Sequence, residues 1–189
     1  MFRHGAGTTR TPVTVDELLR IVGRRRVEIV NEDLVIYLPS GHMRAYAAGE
    51  IFISLHTYAR RIGIGLAVTD NATFRASRSS HVSFSPDVAY YVGPIPRMES
   101  YPVAPVFAVE IRSVSDYDSV AEREIADKRA DYFDAGTEVV WDVDLLRPDT
   151  VRKYTARSPK TPAIFRRGDV ASAEPAVPGW TIPVETLFL

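Results

Sequence analysis

The spacing of apolar residues predicts two well-defined helices. From His42 to Ile62, apolar side chains recur at three- and four-residue steps, which predicts a long amphipathic helix covering one face of a sheet. Residues 119–135 repeat this spacing among charged positions, and Gly136 is a residue type that often follows a helix. A shorter capped helix is expected in VDELLRIV, directly after Thr14.

Short β-rich runs occupy much of the remaining chain. VEIV and LVIYL flank a turn-forming group and predict a hairpin, while GIGLAVTD, ATFRA, DVAYYV, VFAVEI, TEVVWDVD, TVRKYT and AIFRRGD predict further strands. The polar stretch RASRSSHVS is expected to be a loop. Together these elements predict an α/β protein with a mixed central β-sheet flanked by helices. Residues 1–13 are expected to form a flexible lead-in, and residues 14–189 a single domain.

Composition narrows the chemistry that the chain can carry. With 46% apolar residues among 189, one hydrophobic core can form, and the absence of cysteine excludes disulfides and thiolate metal sites. Any metal must therefore be held by oxygen or imidazole. The sequence contains neither a signal peptide pattern nor a stretch long enough to span a membrane, so we expect a cytoplasmic protein.

The charge distribution gives only weak information about partners. The formal net charge is −1, so the protein as a whole lacks the positive charge that is typical of nucleic-acid-binding proteins. Arginine clusters at residues 24–26, 60–61 and 166–167 could still contact phosphate, although each could equally be an ordinary solvated group.

Two acidic residues stand at the ends of apolar strands. Asp87 opens DVAYYV, and Glu110 lies near the end of VFAVEI. A buried carboxylate is costly unless it is paired or bound to a metal. Two carboxylates converging from neighbouring strands are suitable ligands for Mg²⁺, which completes its shell with water and phosphate oxygens. The pair predicts a metal site for phosphodiester hydrolysis, although either acid alone is more simply a cap or an ion-pair partner.

Two cations are candidates to stabilise the charge that develops on the phosphate. Arg112 lies two positions after Glu110 and should project to the same face, but a guanidinium does not relay protons. Lys128, on the following helix, is expected to reach the same site. The competing interpretations are that Arg112 pairs with Asp116 or Asp118, and that Lys128 is an ordinary solvated lysine.

At these residues the chain resembles the Uma-type family of restriction endonucleases, a bacterial branch of the PD-(D/E)xK nuclease superfamily. The resemblance is carried by VEIVNEDLVIYLPSGHMRAY, SPDVAYYV, AVEIRSVSDYDSVAEREIADKRADYFDAGTEVVWDVD and VPGWTIPVETLF. It implies a restriction-endonuclease-like fold, a DNA substrate, and Mg²⁺, with Mn²⁺ as a substitute, bound by Asp87 and Glu110.

The chain departs from the superfamily pattern at one catalytic position. The superfamily lysine stands two residues after the glutamate, where this sequence has Arg112, whereas the helical lysine of D-K-R-x-x-Y-x-x-x-G matches Lys128. The resemblance also covers Glu28, as an additional carboxylate, and His42, as a substrate contact, although a structural role is favoured for both. Glu50, on the long helix, is a weaker candidate by analogy with related nucleases.

Three functions therefore compete. The first is a Mg²⁺-dependent endonuclease acting on DNA, and the second is a nuclease-fold module that binds nucleic acid or protein without cleavage. The third, a purely structural protein, requires Asp87 and Glu110 to lie far apart or to be consumed in ion pairs. By analogy with nucleases that cut both strands, two copies could pair as a homodimer, with Tyr90, Tyr91 and Tyr101 either in the interface or in the core.

Overall fold

The computed structural model describes residues 26–30, 33–37, 41–69, 72–76, 83–146 and 149–189, with the first two ranges described for the backbone only. The expected lead-in and the helix predicted after Thr14 lie outside the described residues.

In the described part of the chain, two α-helices separate runs of strands, and a 3₁₀ helix follows the last strand. These elements are β1 (Arg26–Val30), β2 (Asp33–Tyr37), α1 (His42–Ile62), β3 (Leu66–Thr69), β4 (Phe74–Arg75), β5 (Ser83–Phe84), β6 (Val88–Tyr91), β7 (Phe107–Ile111), α2 (Ser119–Asp134), β8 (Val139–Asp144), β9 (Thr150–Thr155), β10 (Ser158–Arg166), β11 (Val170–Ser172), β12 (Thr181–Pro183) and a 3₁₀ helix (Val184–Leu187).

Six of the strands form a mixed central sheet in the order β10-β9-β8-β7-β6-β3. β7 and β8 pair in parallel, and the other neighbours in this sheet are antiparallel. A parallel pair needs a crossover connection, which here contains α2. The β1–β2, β4–β5 and β11–β12 pairs form separate two-stranded sheets. The prediction of a mixed central sheet flanked by helices is confirmed.

Both predicted long helices are present, and their ends follow from local chemistry. α1 stops before Gly63, which adopts a φ of 72° and donates its N–H to the Ala59 carbonyl at 2.9 Å. That left-handed conformation is accessible to glycine at little cost. α2 begins after Asp118, whose carboxylate accepts from the N–H groups of Val120 and Ala121 at 2.9 and 2.8 Å.

Side-chain alternation along the central strands divides the interior into two apolar clusters. The larger one includes Ala47, Ile51, Leu55, Val88, Val109, Trp141, Val143, Trp180 and Leu187, and so joins α1 and the C-terminal segment to one face of the sheet. The smaller one includes Phe74, Phe84, Ala89, Ala108, Tyr132 and Val140, and so joins α2 to the other face. The two faces thus carry different helices.

The aromatic residues considered for an interface divide in a similar way. Tyr90 belongs to the larger cluster and Tyr91 to the smaller one, and both are buried. Tyr101 is partly buried and stacks on Phe74 with a ring-centroid distance of 4.7 Å. The core interpretation is therefore correct for Tyr90 and Tyr91.

No helix within the described part of the chain is long and apolar enough to cross a membrane.

Two isoleucines on α1 allow a matched test of the packing against the sheet. Ile51 is fully buried, whereas Ile53 is 59% exposed. Ile51→Ala should lower the free energy of unfolding by about 2–5 kcal/mol, because it leaves a cavity in the larger cluster. Ile53→Ala should change it by no more than about 0.5 kcal/mol. Urea denaturation of both variants measures the difference, and equal effects would contradict this placement of α1.

Candidate active site

Asp87 lies immediately before β6, beside the end of β7. Its N–H donates to the Val109 carbonyl at 3.0 Å, and its Oδ2 accepts from the Ile111 N–H at 2.7 Å. The carboxylate is therefore fixed against the backbone of the residue that follows Glu110. Asp87 is only 4% exposed, as expected for an acid at the start of a buried strand.

Arg44, in the first turn of α1, holds the same carboxylate. Its Nη2 donates to Oδ1 at 2.7 Å and to Oδ2 at 2.9 Å, and its Nε donates to Oδ2 at 3.2 Å. The negative charge of Asp87 is thus compensated by a charge-assisted contact from the helix on the larger-cluster face.

Glu110 is held from the opposite side of the sheet by α2. Tyr132 donates its hydroxyl proton to Glu110 Oε1 at 2.7 Å, and Lys128 Nζ lies 3.0 Å from the same oxygen. Lys128 and Tyr132 are four residues apart and therefore share one helix face. Tyr132 also stacks on Phe84 with a centroid distance of 4.2 Å, which fixes its ring. The expected approach of Lys128 to Glu110 is observed.

The structure brings three of the candidate residues to one end of the sheet. Asp87 and Glu110 come from neighbouring strand ends, and Lys128 reaches Glu110 from the helix. Among the described residues, no group of three or more acidic or histidine side chains is placed to hold a metal ion. Two carboxylates nevertheless satisfy the usual protein share of a Mg²⁺ shell, since this ion keeps several waters and takes substrate phosphate oxygens.

Two comparisons bear on this arrangement. A family model described as "Uma2: Putative restriction endonuclease" matches residues 15–185. The chain belongs to the Uma2 family. The fold is also similar to the crystal structure of a putative nuclease of the DUF820 group from Anabaena variabilis, with a TM-score of 0.74 and 16% sequence identity. That match covers 94% of this chain and 98% of the other, and supports a restriction-endonuclease-like fold. The search of curated proteins gave no match.

In this Uma2 protein, Arg112 occupies a different environment from Lys128. Its Nε and Nη2 donate to the two oxygens of Asp142, both at 2.7 Å, and Nη1 and Nη2 donate to Glu122, the latter bond at 3.1 Å. Nη1 also donates to the Asp116 backbone carbonyl at 3.2 Å. These bonds use all five donors of a guanidinium. The hydrogen bond to Asp142 is the largest cause of a raised pKa for Arg112, and burial opposes it.

The bonds of Arg112 with Asp142 and Glu122 belong to a larger group of charged residues, called here the Arg112 cluster, which extends along β8. Asp144 accepts from the Tyr117 hydroxyl at 2.6 Å and from Arg152 Nη2 at 3.3 Å, and Arg152 Nη1 lies 3.5 Å from Asp142. Burial, followed by the bond to Asp144, raises the pKa of Tyr117. A buried polar network of this kind ties the start of α2 to the sheet.

Among the described side chains, neither His42 nor Glu50 contacts Asp87 or Glu110. His42 is exposed at the first position of α1, and Glu50 is partly buried six residues after Arg44 on the same helix. Glu28 lies in β1 opposite Val35, and its side chain is outside the described part of the structure. Their proposed roles remain predictions.

Sequence reasoning overlooked Arg44 and Asp142. Asp142 and Asp144 alternate within the apolar run VVWDVD, and such a pattern places both acids on one face of a buried strand, where cationic partners are required. That signal was available in the sequence. Arg44 gave none, because an arginine in the first turn of an amphipathic helix is unremarkable until its partner is known.

The Arg112 cluster predicts a stability effect that can be measured without a substrate. Asp142 is 2% exposed, so Arg112→Met would leave it without its main counter-charge and should lower the free energy of unfolding by about 3–5 kcal/mol. Arg167→Met is the matched control, since Arg167 and Asp149 form an ion pair whose side chains are 50% and 37% exposed. The control should lose about 0–1 kcal/mol in the same urea titration.

The opposite result would favour a catalytic Arg112. If Arg112→Met has the same free energy of unfolding as the wild-type protein but does not support cleavage, then Arg112 acts mainly in catalysis and not in holding the cluster together.

Glu122 predicts a specific pH dependence. Its hydrogen bond with Arg112 lowers the pKa of Glu122, with burial opposing. A lowered folded-state pKa stabilises the fold above the unfolded-state value of about 4.3, and this stabilisation is lost as the pH falls through the folded-state pKa. The stability difference between wild type and Glu122→Gln should therefore shrink on acidification from neutral pH. Urea denaturation of both proteins at a series of pH values measures this difference, and a difference that stays constant with pH would contradict the prediction.

Proposed function

We propose that this protein is a metal-dependent endonuclease that hydrolyses DNA phosphodiester bonds, with Asp87 and Glu110 as ligands of Mg²⁺ or Mn²⁺. The observation that carries the proposal is the meeting of these two acids at neighbouring strand ends, with Lys128 Nζ 3.0 Å from Glu110. Membership of the Uma2 family supports the same reaction class.

The donor set suits a hard divalent cation. Both proposed ligands are carboxylates, and the chain has no thiolate to favour a softer metal. When bound, the ion would supply charge neutralisation at the phosphate and activation of the attacking water. Tyr132 would hold Glu110 in position through its hydroxyl, because its own ring is fixed by stacking on Phe84.

Lys128 is the better candidate to stabilise the developing charge on the phosphate. Its Nζ lies 3.0 Å from Glu110 Oε1, at the strand ends where the proposed ligands meet, and its ammonium is a compact charge on a flexible stem. Arg112, by contrast, uses all five donors within its buried cluster and would have to break an existing bond to reach a phosphate. We therefore assign Lys128 the role of the superfamily lysine and Arg112 a structural role.

A second function is favoured by one specific observation. Arg44 already contacts both oxygens of Asp87, so the cation that neutralises this acid can be a side chain instead of a metal. If that arrangement persists with nucleic acid bound, the protein is a nuclease-fold module that binds without cutting. Binding to DNA or protein with no metal-dependent cleavage would distinguish this module from the enzyme.

The assembly and location proposed for the enzyme follow from analogy. Cleavage of both strands would be served by a homodimer, and the absence of cysteine fits a reducing cytoplasm. Sedimentation with and without duplex DNA tests the first proposal.

A cleavage assay tests the proposed site directly. Wild type should cut plasmid DNA with Mg²⁺ or Mn²⁺ and lose that activity in EDTA. Asp87→Asn and Glu110→Gln should fall below detection, because each loses a proposed ligand charge while keeping its size. Lys128→Met should reduce turnover by roughly 10²–10³-fold, the usual effect of removing one preorganised donor from a transition state.

Matched controls come from exposed positions of the same residue types. Asp127→Asn, Glu124→Gln and Lys160→Met should cut like wild type. Single-stranded DNA and RNA in parallel reactions define the substrate. Cleavage by both folded acid variants at the wild-type rate would exclude the proposed site.

A further inference from the structure

Asp87 and Arg44 form an ion pair that is largely withdrawn from water. The side chains are 5% and 15% exposed, in contrast with the open pair of Arg167 and Asp149 described above. Solvent screens charges weakly in such an environment, so the charge of Arg44 acts strongly on any cation that binds the Asp87 carboxylate.

The bonding of Asp87 leaves little room for an additional cation. Arg44 supplies three hydrogen bonds across both oxygens, and the Ile111 N–H supplies a fourth to Oδ2. A carboxylate offers about four lone-pair sites. Oδ2 accepts three of these bonds and Oδ1 accepts one from Arg44, so an ion bound to either oxygen must share that oxygen with Arg44 or displace it.

Each proposed ligand already faces a cation in the described part of the structure. Asp87 pairs with Arg44 from α1, and Glu110 pairs with Lys128 from α2. A divalent ion therefore gains less from these two acids than from two carboxylates with no cation beside them. Arg44 also repels a divalent ion twice as strongly as it would repel a monovalent ion at the same distance.

We propose that Arg44 is a positioning residue that competes with the divalent ion for Asp87 and so weakens metal binding in the DNA-free protein. This inference rests on the proposed function, because it requires Asp87 to be a metal ligand. It extends that function by making Arg44 a built-in counter-cation that sets how much metal the site takes up before a negatively charged phosphate arrives.

Titration of DNA-free, full-length protein with Mn²⁺ in a calorimeter tests the inference without using activity. Arg44→Met removes the charge and the donors, and should tighten Mn²⁺ binding by about tenfold or more, within the range typical of residues that act on a metal ligand. Arg44→Gln removes the charge but keeps two donors for Asp87, and should also bind more tightly. Arg44→Lys retains the charge and should bind like wild type.

Controls separate a local effect on Asp87 from a general change in charge. Arg61→Met removes an exposed arginine from the last turn of the same helix and should leave the Mn²⁺ affinity unchanged. In the Arg44→Met/Asp87→Asn double variant the gain should disappear. Circular dichroism establishes that each variant is folded, and the Gln variant carries the test if the Met variant does not fold.

The outcomes distinguish this inference from the proposed function. If Asp87→Asn weakens Mn²⁺ binding while neither neutral variant of Arg44 strengthens it, the competition is overturned and the metal site stands. If Asp87→Asn binds Mn²⁺ as wild type does, the proposed metal site fails. A gain that persists in the double variant also overturns the role of Arg44, because it would not act through Asp87.

Discussion

The parallel pairing of β7 with β8 is the constraint on which the site depends. Since parallel neighbours cannot be joined by a tight turn, the chain must cross over the sheet, and α2 lies in that crossover. The register aligns Glu110 with Asp142, so two acids stand side by side on the face that α2 covers. Asp142 is buried and Glu110 is partly buried, so both need cations nearby. Lys128, on α2, pairs with Glu110, and Arg112, which directly follows β7, pairs with Asp142.

Glu110 and Asp142 differ in how their cationic partners are held. Arg112 approaches Asp142 through a bidentate contact and is closed in by Glu122, which consumes its donors and produces a rigid junction between strand and helix. Lys128 contacts Glu110 through the ammonium group of a flexible side chain, at the end of the sheet where Asp87 also lies. Under the proposed function, Lys128 on the helix takes the role of the superfamily lysine, and Arg112 at the strand position has a structural role.

Much of the architecture could be predicted because it depends on local pattern. The three- and four-residue spacing predicted α1 from His42 to Ile62, and the same spacing followed by Gly136 predicted α2. Strand order could not be read in the same way, since pairing joins residues that are distant in sequence. For the same reason Asp87 and Glu110 were recognisable as acids at strand ends, whereas Arg44, 43 residues from Asp87, was not recognisable as its partner. The helix predicted after Thr14 falls outside the described residues, and the roles assigned to Glu28, His42 and Glu50 remain predictions.

The packing of the C-terminal segment makes α1 depend on residues that are distant in sequence. Trp180 donates its indole N–H to Ser54 at 3.0 Å, the Tyr58 hydroxyl donates to the Pro178 carbonyl, and Leu187 belongs to the same apolar cluster. The two hydrogen bonds join residues 126 and 120 positions apart, and contacts of such long range form slowly because the entropy of closing a long loop is lost before the contacts are made. The helix that carries Arg44 is therefore expected to reach its final packing late in folding, after the local strand pairs.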